Sequence, residues 1–345
     1  MFAIGLIVVR AVWSEGFGIV VALAGAVGAL VVLYEVRQTK RISQAEFIRD
    51  LQSGFSSDPN ICQLWRKLLL KEEITAADRP LVSSYLTFFE TLHLLLKREA
   101  LDLTLTDDLF RNRFFTAVGN KGILDTALIR EAGSFANIHE LIQTWHDYLL
   151  QHGIPIHPGY YAYIQALSER KGYEIDSLGP EDFPHLKNLQ GEVLTALGRR
   201  EWLRPNDDEM LQACLAAHVT LGVWRDRDLV AAAILYDAGD TAENLTRYTA
   251  KAPAASDRSV NLKLVLVSPK HRRAGLGRTL VELLELKASE LQKTEILCTI
   301  HRDNSASRDL FRMLGYRYVK HVDTSYGGRD VFARSLPSLK KKWAR

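Results

Sequence analysis

Leu264-Val-Leu-Val-Ser-Pro-Lys-His-Arg-Arg-Ala-Gly-Leu-Gly-Arg-Thr-Leu280 is an apolar strand that continues through a basic turn into an amphipathic helix. The first N–H groups of a helix lack partners within the helix and lie at the positive end of its dipole. Such a turn binds phosphate oxygens well, and Gly275 and Gly277 let those oxygens approach the backbone closely. Arg272, Arg273 and Arg278 add positive charge at the same place. The segment therefore predicts an anionic, phosphate-bearing cofactor.

A second block follows about one helix and one strand further along the chain. Thr294-Glu-Ile-Leu-Cys-Thr-Ile-His301 is typical of a buried strand, and Asn304-Ser-Ala-Ser-Arg-Asp-Leu-Phe-Arg-Met-Leu-Gly-Tyr316 comes next. The spacing Arg272-x-x-Gly275-x-Gly277 resembles motif A of the GNAT superfamily of N-acetyltransferases. The second block resembles that superfamily's Asn at a strand end, followed by a helix that closes with Leu-Gly-aromatic. The resemblance covers about residues 172–336.

This resemblance implies that acetyl-CoA is the co-substrate. It also implies an α+β fold, in which a mixed, mostly antiparallel sheet is flanked by helices. The main chain of Leu266 and Val267 would pair with the pantetheine arm, and Asn304 and Ser307 would lie close to it. Backbone N–H groups of the turn would hold the pyrophosphate. The turn residues predicted to bind the cofactor are Arg272, Arg273, Ala274, Gly275, Leu276, Gly277 and Arg278.

The acid and the base of the reaction are less evident. Many family members have a tyrosine seven positions after the Asn, and here Phe311 stands there, which cannot donate a proton. Tyr316 is a nearby alternative acid. Many relatives carry a carboxylate on the strand before the turn, but this strand offers only Asn261 and Lys263 as polar side chains. His301 is the candidate base because imidazole titrates near neutral pH, unless it is simply a loop histidine or no base is needed.

An apolar run lies near the start of the chain. Phe17 to Tyr34 comprises 18 residues, which as a helix span about 27 Å and match a membrane's hydrocarbon core. The basic cluster Arg37-Gln-Thr-Lys-Arg41 follows it, whereas Arg10 on the other side is offset by Glu15. This asymmetry predicts a cytoplasmic body and argues against a cleaved signal peptide. We expect a single-pass protein of the bacterial inner membrane, anchored in the lipid bilayer, with its soluble domains in the cytoplasm.

The region between this run and the acetyltransferase-like part has a helical pattern. Its cluster Arg37 to Arg41, its Ser57-Asp-Pro turn and Tyr85-Leu-Thr-Phe-Phe-Glu-Thr91 resemble a family of bacterial single-helix membrane proteins of unknown function. The stretch from Gly153 to Gly159 contains two prolines and two glycines and predicts a stiff connector. The expected parts are a membrane anchor (1–36), a cytosolic helical domain (37–151), a linker (152–171), the acetyltransferase domain (172–336) and a basic tail (337–345).

The composition excludes several classes of function. A net charge of +3 with 25% charged residues does not favour nucleic acid as a partner. Cys62, Cys214 and Cys298 are scattered and odd in number, so we expect neither a disulfide framework nor a metal site. Glu90 and His93 share a helix face, but no further ligand lies at a recognisable spacing. The oligomeric state stays open.

The expected reaction is direct attack of an amine on the thioester of acetyl-CoA. The acceptor would be a small-molecule amine or a protein, and the loops around residues 198–210, 238–259 and 323–329 would form its site. Trp202 and Trp224 are either walls of that site or ordinary packing residues. The alternative is a catalytically weak acyl-CoA-binding sensor or an interaction module at the membrane, because the usual tyrosine and an obvious base are absent.

Overall fold

The computed structural model describes residues 43–131, 133–249, 258–324 and 326–336. The predicted membrane segment Phe17–Tyr34 and the basic tail 337–345 lie outside these ranges. Among the described residues, no helix combines the length and apolarity that a membrane span requires.

The N-terminal part of the described chain is helical. Asp58 begins one of its helices by accepting hydrogen bonds from the N–H groups of Asn60 and Ile61, while Pro59 occupies the first turn. A π-helical turn, Leu124–Leu128, continues the shortest helix. The helices are 43–57 (α1), Pro59–Leu69 (α2), Arg79–Lys97 (α3), Leu103–Val118 (α4), Lys121–Ile123 (α5), Ala136–Gln151 (α6) and Pro158–Arg170 (α7).

Aromatic side chains form the centre of this helical unit. Phe114 stacks on Trp145 with ring centroids 5.2 Å apart, and the Trp145 indole N–H donates to Asp107 Oδ1 at 2.8 Å. The segment 152–171, predicted as a linker, contains α7, and Tyr160, Tyr161, Tyr163 and Ile164 of α7 are buried in the same core. The helical unit therefore continues to Arg170.

A seven-stranded sheet occupies the C-terminal part, in the order β1-β2-β3-β4-β5-β7-β6. Its neighbouring strands are antiparallel, apart from β4 and β5, which are parallel. This arrangement confirms the predicted mixed, mostly antiparallel sheet. The strands are Glu174–Ser177 (β1), Val219–Arg225 (β2), Asp228–Tyr236 (β3), Ser259–Val267 (β4), Glu295–His301 (β5), Arg317–Thr324 (β6) and Gly327–Ser335 (β7).

Helices cover both faces of the sheet. On one face, Phe183–Thr195 (α8) packs against β3 and β4, and Asp208–Ala217 (α9) packs against α8 and β2, through a core that includes Leu186 and Leu211. On the other face, Leu276–Glu290 (α10) packs against β2, β3 and β4, and Ser305–Met313 (α11) adds Phe311 to the core that includes Leu280. The sheet therefore has a separate core on each face. The basic turn before α10 lies on the face that α10 covers.

A buried carboxylate joins the helical unit to the sheet domain. Glu282 on α10 is 3% exposed and accepts hydrogen bonds from the Tyr160 hydroxyl on α7 and from Nε of Arg278 at 2.9 Å. His146 on α6 places its Nε2 3.4 Å from the same carboxylate. A buried charge is tolerated when several donors satisfy it, so this contact requires both units to keep their relative position.

The buried His157 should make the stability of the protein depend on pH. Its Nδ1 accepts from the Gly159 N–H at 3.0 Å and its Nε2 lies 3.1 Å from Asn112 Oδ1, an arrangement that suits the neutral ring. Burial, and secondarily the charge of Arg111, lowers the pKa of His157 to about 4, whereas an unfolded histidine titrates near about 6.5. The unfolded state therefore binds the extra proton first as the pH falls from 6.5 to 4, and native stability is lost in that window.

Denaturant unfolding should show up to about 3 kcal/mol of this loss. His157→Gln should remove it, and an equally steep loss in that variant would contradict the assignment.

The contact around Glu282 between the helical unit and the sheet domain, here called the seam, leads to a prediction about the stability of two variants. Tyr160→Phe removes one hydrogen bond to Glu282 and should lower the free energy of unfolding by about 1 kcal/mol. The matched control is Tyr161→Phe, because the Tyr161 hydroxyl makes no hydrogen bond to the described residues and its loss should change stability less. Equal effects in denaturant unfolding of the two variants would show that the bond to Glu282 contributes nothing.

Candidate active site

The parallel ladder between β4 and β5 is short. It contains three pairs, Ser259 with Glu295, Val260 with Ile296 and Asn261 with Leu297. Beyond them, β4 continues to Val267 without pairing to β5, and Leu264 has a positive φ of 47° that marks a bulge. Bulges bend a strand and often lie beside functional sites. The second half of β4, which includes Leu266 and Val267, therefore presents backbone groups toward an opening in the sheet, and the role of these two residues toward a cofactor stays a prediction.

The basic turn lies at the end of this strand. Arg273 and Gly275 have positive φ values of 68° and 86°, and Gly275 is the N-cap of α10. Such alternation of backbone conformation forms a concave group of N–H donors that suits an anion. A Cβ added to Gly277 would lie 3.5 Å from Val267 Cγ2 and 3.7 Å from Leu310 Cδ2, which is ordinary contact. The backbone at Gly277 thus lies close to side chains of β4 and α11, and an alanine there would fit.

The three arginines of the turn have different surroundings. Arg272 and Arg273 are exposed and form no ion pair with any described residue. Arg278 instead directs its Nε to Glu282, and its guanidinium also lies 3.5 Å from His146 Nδ1 of the helical unit. The side chains available for phosphate are therefore those of Arg272 and Arg273, while Arg278 contributes to the seam.

The residues of the second block lie at the start of α11. Asn304 is its N-cap and accepts from the Ser307 N–H at 3.1 Å, so these two residues contact each other. His301, at the end of β5, accepts from the Asp303 N–H at 3.2 Å through Nδ1. All three are half-buried. Their roles toward a cofactor or in catalysis stay predictions.

Tyr316 and Phe311 belong to the core. Their rings meet edge to face with centroids 4.9 Å apart, and the exposed fractions are 3% and 4%. Burial raises the pKa of Tyr316 well above its ordinary value, so the hydroxyl keeps its proton at neutral pH. Burial likewise raises the pKa of the Cys298 thiol, which agrees with a packing role for that cysteine.

A cavity of about 460 Å³ lies beside the opening. Four successive residues of β4, Asn261 to Leu264, line it. Thr299 lines it from β5, whereas Cys298 and Ile300 belong to the core beneath α10. The three loops predicted to form the acceptor site meet here. They contribute Trp202, Leu203, Arg204, Asn206, Ala242, Glu243, Leu245, Arg247, Tyr248, Asp323, Thr324, Tyr326 and Arg329.

Trp202 lines this cavity, whereas Trp224 packs against His185 on the β2 side with ring centroids 5.1 Å apart.

The structure adds one carboxylate, Glu243, that no motif in the sequence indicates. Glu243 accepts from Lys263 Nζ at 2.7 Å, and its backbone oxygen accepts from Asn261 Nδ2 at 2.8 Å. A loop thus delivers a carboxylate to β4, where the strand has none of its own. No spacing in the sequence signals this contact, because it depends on how the loop folds back.

An interrupted parallel ladder, a glycine turn on one face and a cavity on the other define the GNAT acetyltransferase fold. Residues 185–316 match the model of the acetyltransferase (GNAT) family. The C-terminal part of the chain is therefore a GNAT acetyltransferase domain. None of the curated proteins matches the chain.

Solved structures with a related fold include three from bacteria. The ribosomal-protein-S18-alanine N-acetyltransferase of Escherichia coli is 18% identical, with a TM-score of 0.36, over 50% of this chain and 99% of that one. The ribosomal-protein-alanine N-acetyltransferase of Brucella melitensis is 20% identical, with a TM-score of 0.36, over 47% and 99%. The protein yncA of Salmonella typhimurium, solved with acetyl-CoA, is 20% identical, with a TM-score of 0.37, over 48% and 95%.

The turn generates a prediction about cofactor affinity. Gly277→Ala should fold normally, because the added Cβ meets only ordinary contacts. It should nevertheless weaken acetyl-CoA binding by about tenfold or more, since the methyl group occupies the space where phosphate oxygens approach the backbone. Isothermal titration calorimetry checks this, with Gly191→Ala on α8 as the control because its Cβ would meet nothing within 4 Å. Unchanged affinity of Gly277→Ala would contradict cofactor binding at this turn.

Proposed function

We propose that the chain is an acetyl-CoA-dependent N-acetyltransferase that transfers acetyl to an amine bound in the cavity. The observation that carries this proposal is the short β4–β5 ladder. It leaves an opening that is bordered on one face of the sheet by the glycine turn and on the other by the cavity. A ligand held by its phosphates at the turn can extend along β4 and present its far end to the cavity.

The positions of the turn and of β4 indicate which part of acetyl-CoA each would bind. Arg272, Arg273 and the N–H groups up to Arg278 would bind the pyrophosphate, and the second half of β4 would pair with the pantetheine arm. Bound acetyl-CoA supplies the acetyl thioester. A main-chain N–H near Val267 would stabilise the negative charge that develops on the carbonyl oxygen. Because these groups are held by the sheet and by α10, little reorganisation is needed when the ligand binds.

The reaction also needs proton transfers. The nitrogen of the amine bonds to the carbonyl carbon, the carbon–sulfur bond breaks, and a proton passes from the amine to the departing thiolate. Glu243 lines the cavity and already contacts Lys263 Nζ at 2.7 Å and Arg204 Nη1 at 3.5 Å, so it would hold the ammonium group as a third partner. His301 and Tyr316 remain candidate base and acid, although Tyr316 lies in the core beside Phe311. Water is the other source of the proton that the thiolate takes up.

One observation favours a second candidate, a sensor of acyl-CoA level. The helix that begins at the cofactor turn also carries Glu282 and Arg278, which contact Tyr160 and His146 of the helical unit. Cofactor at one end of α10 can therefore influence the contacts of the helical unit at its side. In this case binding, rather than turnover, would be the function.

We further propose that the protein works at the inner face of the bacterial inner membrane. The support is the sequence alone: an apolar run of 18 residues followed by Arg37, Lys40 and Arg41. Acetyl-CoA is a cytosolic metabolite, so this orientation places the acetyltransferase domain where its co-substrate is found. The acceptor would be a small-molecule amine or a protein.

The test is a calorimetric titration of acetyl-CoA and CoA into the full-length chain in detergent, followed by thiol release with pooled amines and lysate protein. We expect binding with acceptor-dependent release. Arg272→Ala combined with Arg273→Ala should weaken binding by about tenfold or more, because charge-assisted hydrogen bonds to phosphate are lost. The exposed Arg312 on α11 provides the control Arg312→Ala.

The outcomes separate the two candidates. Binding together with release supports the enzyme, and binding without release for any acceptor supports the sensor. No binding of either nucleotide would contradict both.

A further inference from the structure

One cation of the cavity, Arg329, is buried without an ion-pair partner among the described residues. Arg329 on β7 is 3% exposed, and its guanidinium donates to the backbone oxygens of Glu201 and Trp202 at 2.5 and 3.3 Å. Its Nε has no hydrogen-bond partner, and no carboxylate of the described residues lies within 4.0 Å of it. Burial lowers the pKa of Arg329 below its ordinary value. A buried charge is costly unless an opposite charge or several hydrogen bonds offset it.

Other cations surround the same space. Arg204 lies over the Tyr326 ring at 4.5 Å, and Arg329 lies 5.1 Å from the centroid of that ring. Arg247 lies over Tyr248 at 4.8 Å and forms no ion pair within the described chain. The cavity therefore has arginines on several sides of an aromatic wall.

The carboxylates of the cavity do not offset these charges. Glu243 contacts Lys263 at 2.7 Å and Arg204 at 3.5 Å, so two cations already share it. The side chain of Asp323 is 95% exposed and its nearest cationic partner is His321 at 3.6 Å, which places it at the solvent rim. Among the described residues, the lining of the cavity thus has more cations than carboxylates.

Unpaired donors lie on the same wall as Arg329. Asn206 is 8% exposed, and its Nδ2 has no hydrogen-bond partner among the described residues. The same is true of the indole Nε1 of Trp202. Both residues line the cavity. Buried donors without acceptors are uncommon in native proteins, and a ligand is one explanation for them. Donors in excess of acceptors favour a ligand that brings oxygen acceptors and negative charge.

We propose that the acceptor is a small amine that carries its own anionic group, a carboxylate or a phosphate, and that Arg329 and Arg204 bind this group. The inference rests on the proposed acetyl transfer and names its acceptor class. A cavity of about 460 Å³ has the size of a small-molecule site. The amine would lie toward Glu243 and Lys263 beside the opening, and the anion toward Arg329. Planar, bidentate guanidinium groups suit both anions.

The experiment compares matched pairs of amines on the full-length protein in detergent, saturated with CoA so that binding is measured without turnover. In one series, each α-amino acid is compared with its α-amino amide. In the other, 2-aminoethyl phosphate is compared with ethanolamine. The member of each pair that carries the carboxylate or phosphate should bind about 10- to 100-fold more tightly, because the partner without that group cannot form its charge-assisted hydrogen bonds. Thiol release with acetyl-CoA should show the same preference.

Two variants test the assigned arginines. Arg329→Gln should reduce the preference to less than about threefold while leaving acetyl-CoA affinity unchanged. Because Arg329 also holds two backbone oxygens, Arg204→Gln provides an independent test, since Arg204 is half-exposed and donates to no backbone group. Arg204→Gln should reduce the preference by about tenfold. Arg312→Ala is the control and should retain it. Thermal unfolding of each variant identifies any loss of structure.

Several results would overturn the inference while the acetyltransferase function stands. They are equal or tighter binding of the amines without an anionic group, an anion preference that survives both arginine changes, and acetylation of lysate proteins without binding of any small anionic amine. Failure of the proposed function differs from all of these, because it would show either no binding of acetyl-CoA and CoA or no thiol release with any acceptor.

Discussion

The early end of the β4–β5 ladder is the constraint on which the C-terminal domain depends. Two parallel strands normally bury their edges against each other, but here only the first three pairs form. The bulge at Leu264 shifts the register of β4 against β3. The second half of β4 does not pair with β5, and an extended ligand is proposed to pair with its backbone. The glycine turn and the cavity both border this opening, so a ligand in the opening could contact both.

A second constraint is the buried carboxylate of Glu282. It is satisfied by groups from two parts of the chain, Arg278 on its own helix and Tyr160 on α7. A carboxylate that is 3% exposed would be costly if either unit moved away. The consequence is functional as well as structural, because α10 begins at the cofactor turn. The helical unit is thereby attached to the element that is expected to bind phosphate.

Much of the local structure could be predicted from the sequence. The run Val219 to Tyr236 with its polar turn is typical of a hairpin, and the spacing of apolar residues from Phe183 to Leu197 is typical of a helix. The structure forms the β2–β3 hairpin and α8 there, because period and turn chemistry act over short distances. The three loops predicted to form the acceptor site meet at the cavity, and their role in binding an acceptor stays a proposal. The role of α7 was harder to predict. Its segment has the prolines and glycines of a connector, yet its tyrosines lie in the helical core.

The sequence by itself determined the strand, the glycine turn and the helix start at residues 264–280, because positive φ and free N–H groups are local properties of glycine and of helix ends. It also determined that Phe311 cannot supply a proton. Only the tertiary structure decided that Glu243 reaches Lys263, that Arg278 contacts Glu282, and that Arg329 is buried with no ion-pair partner among the described residues. These contacts join residues far apart in the chain. Their energies depend on burial and on the charges that surround each group, and neither can be derived from spacing along the sequence.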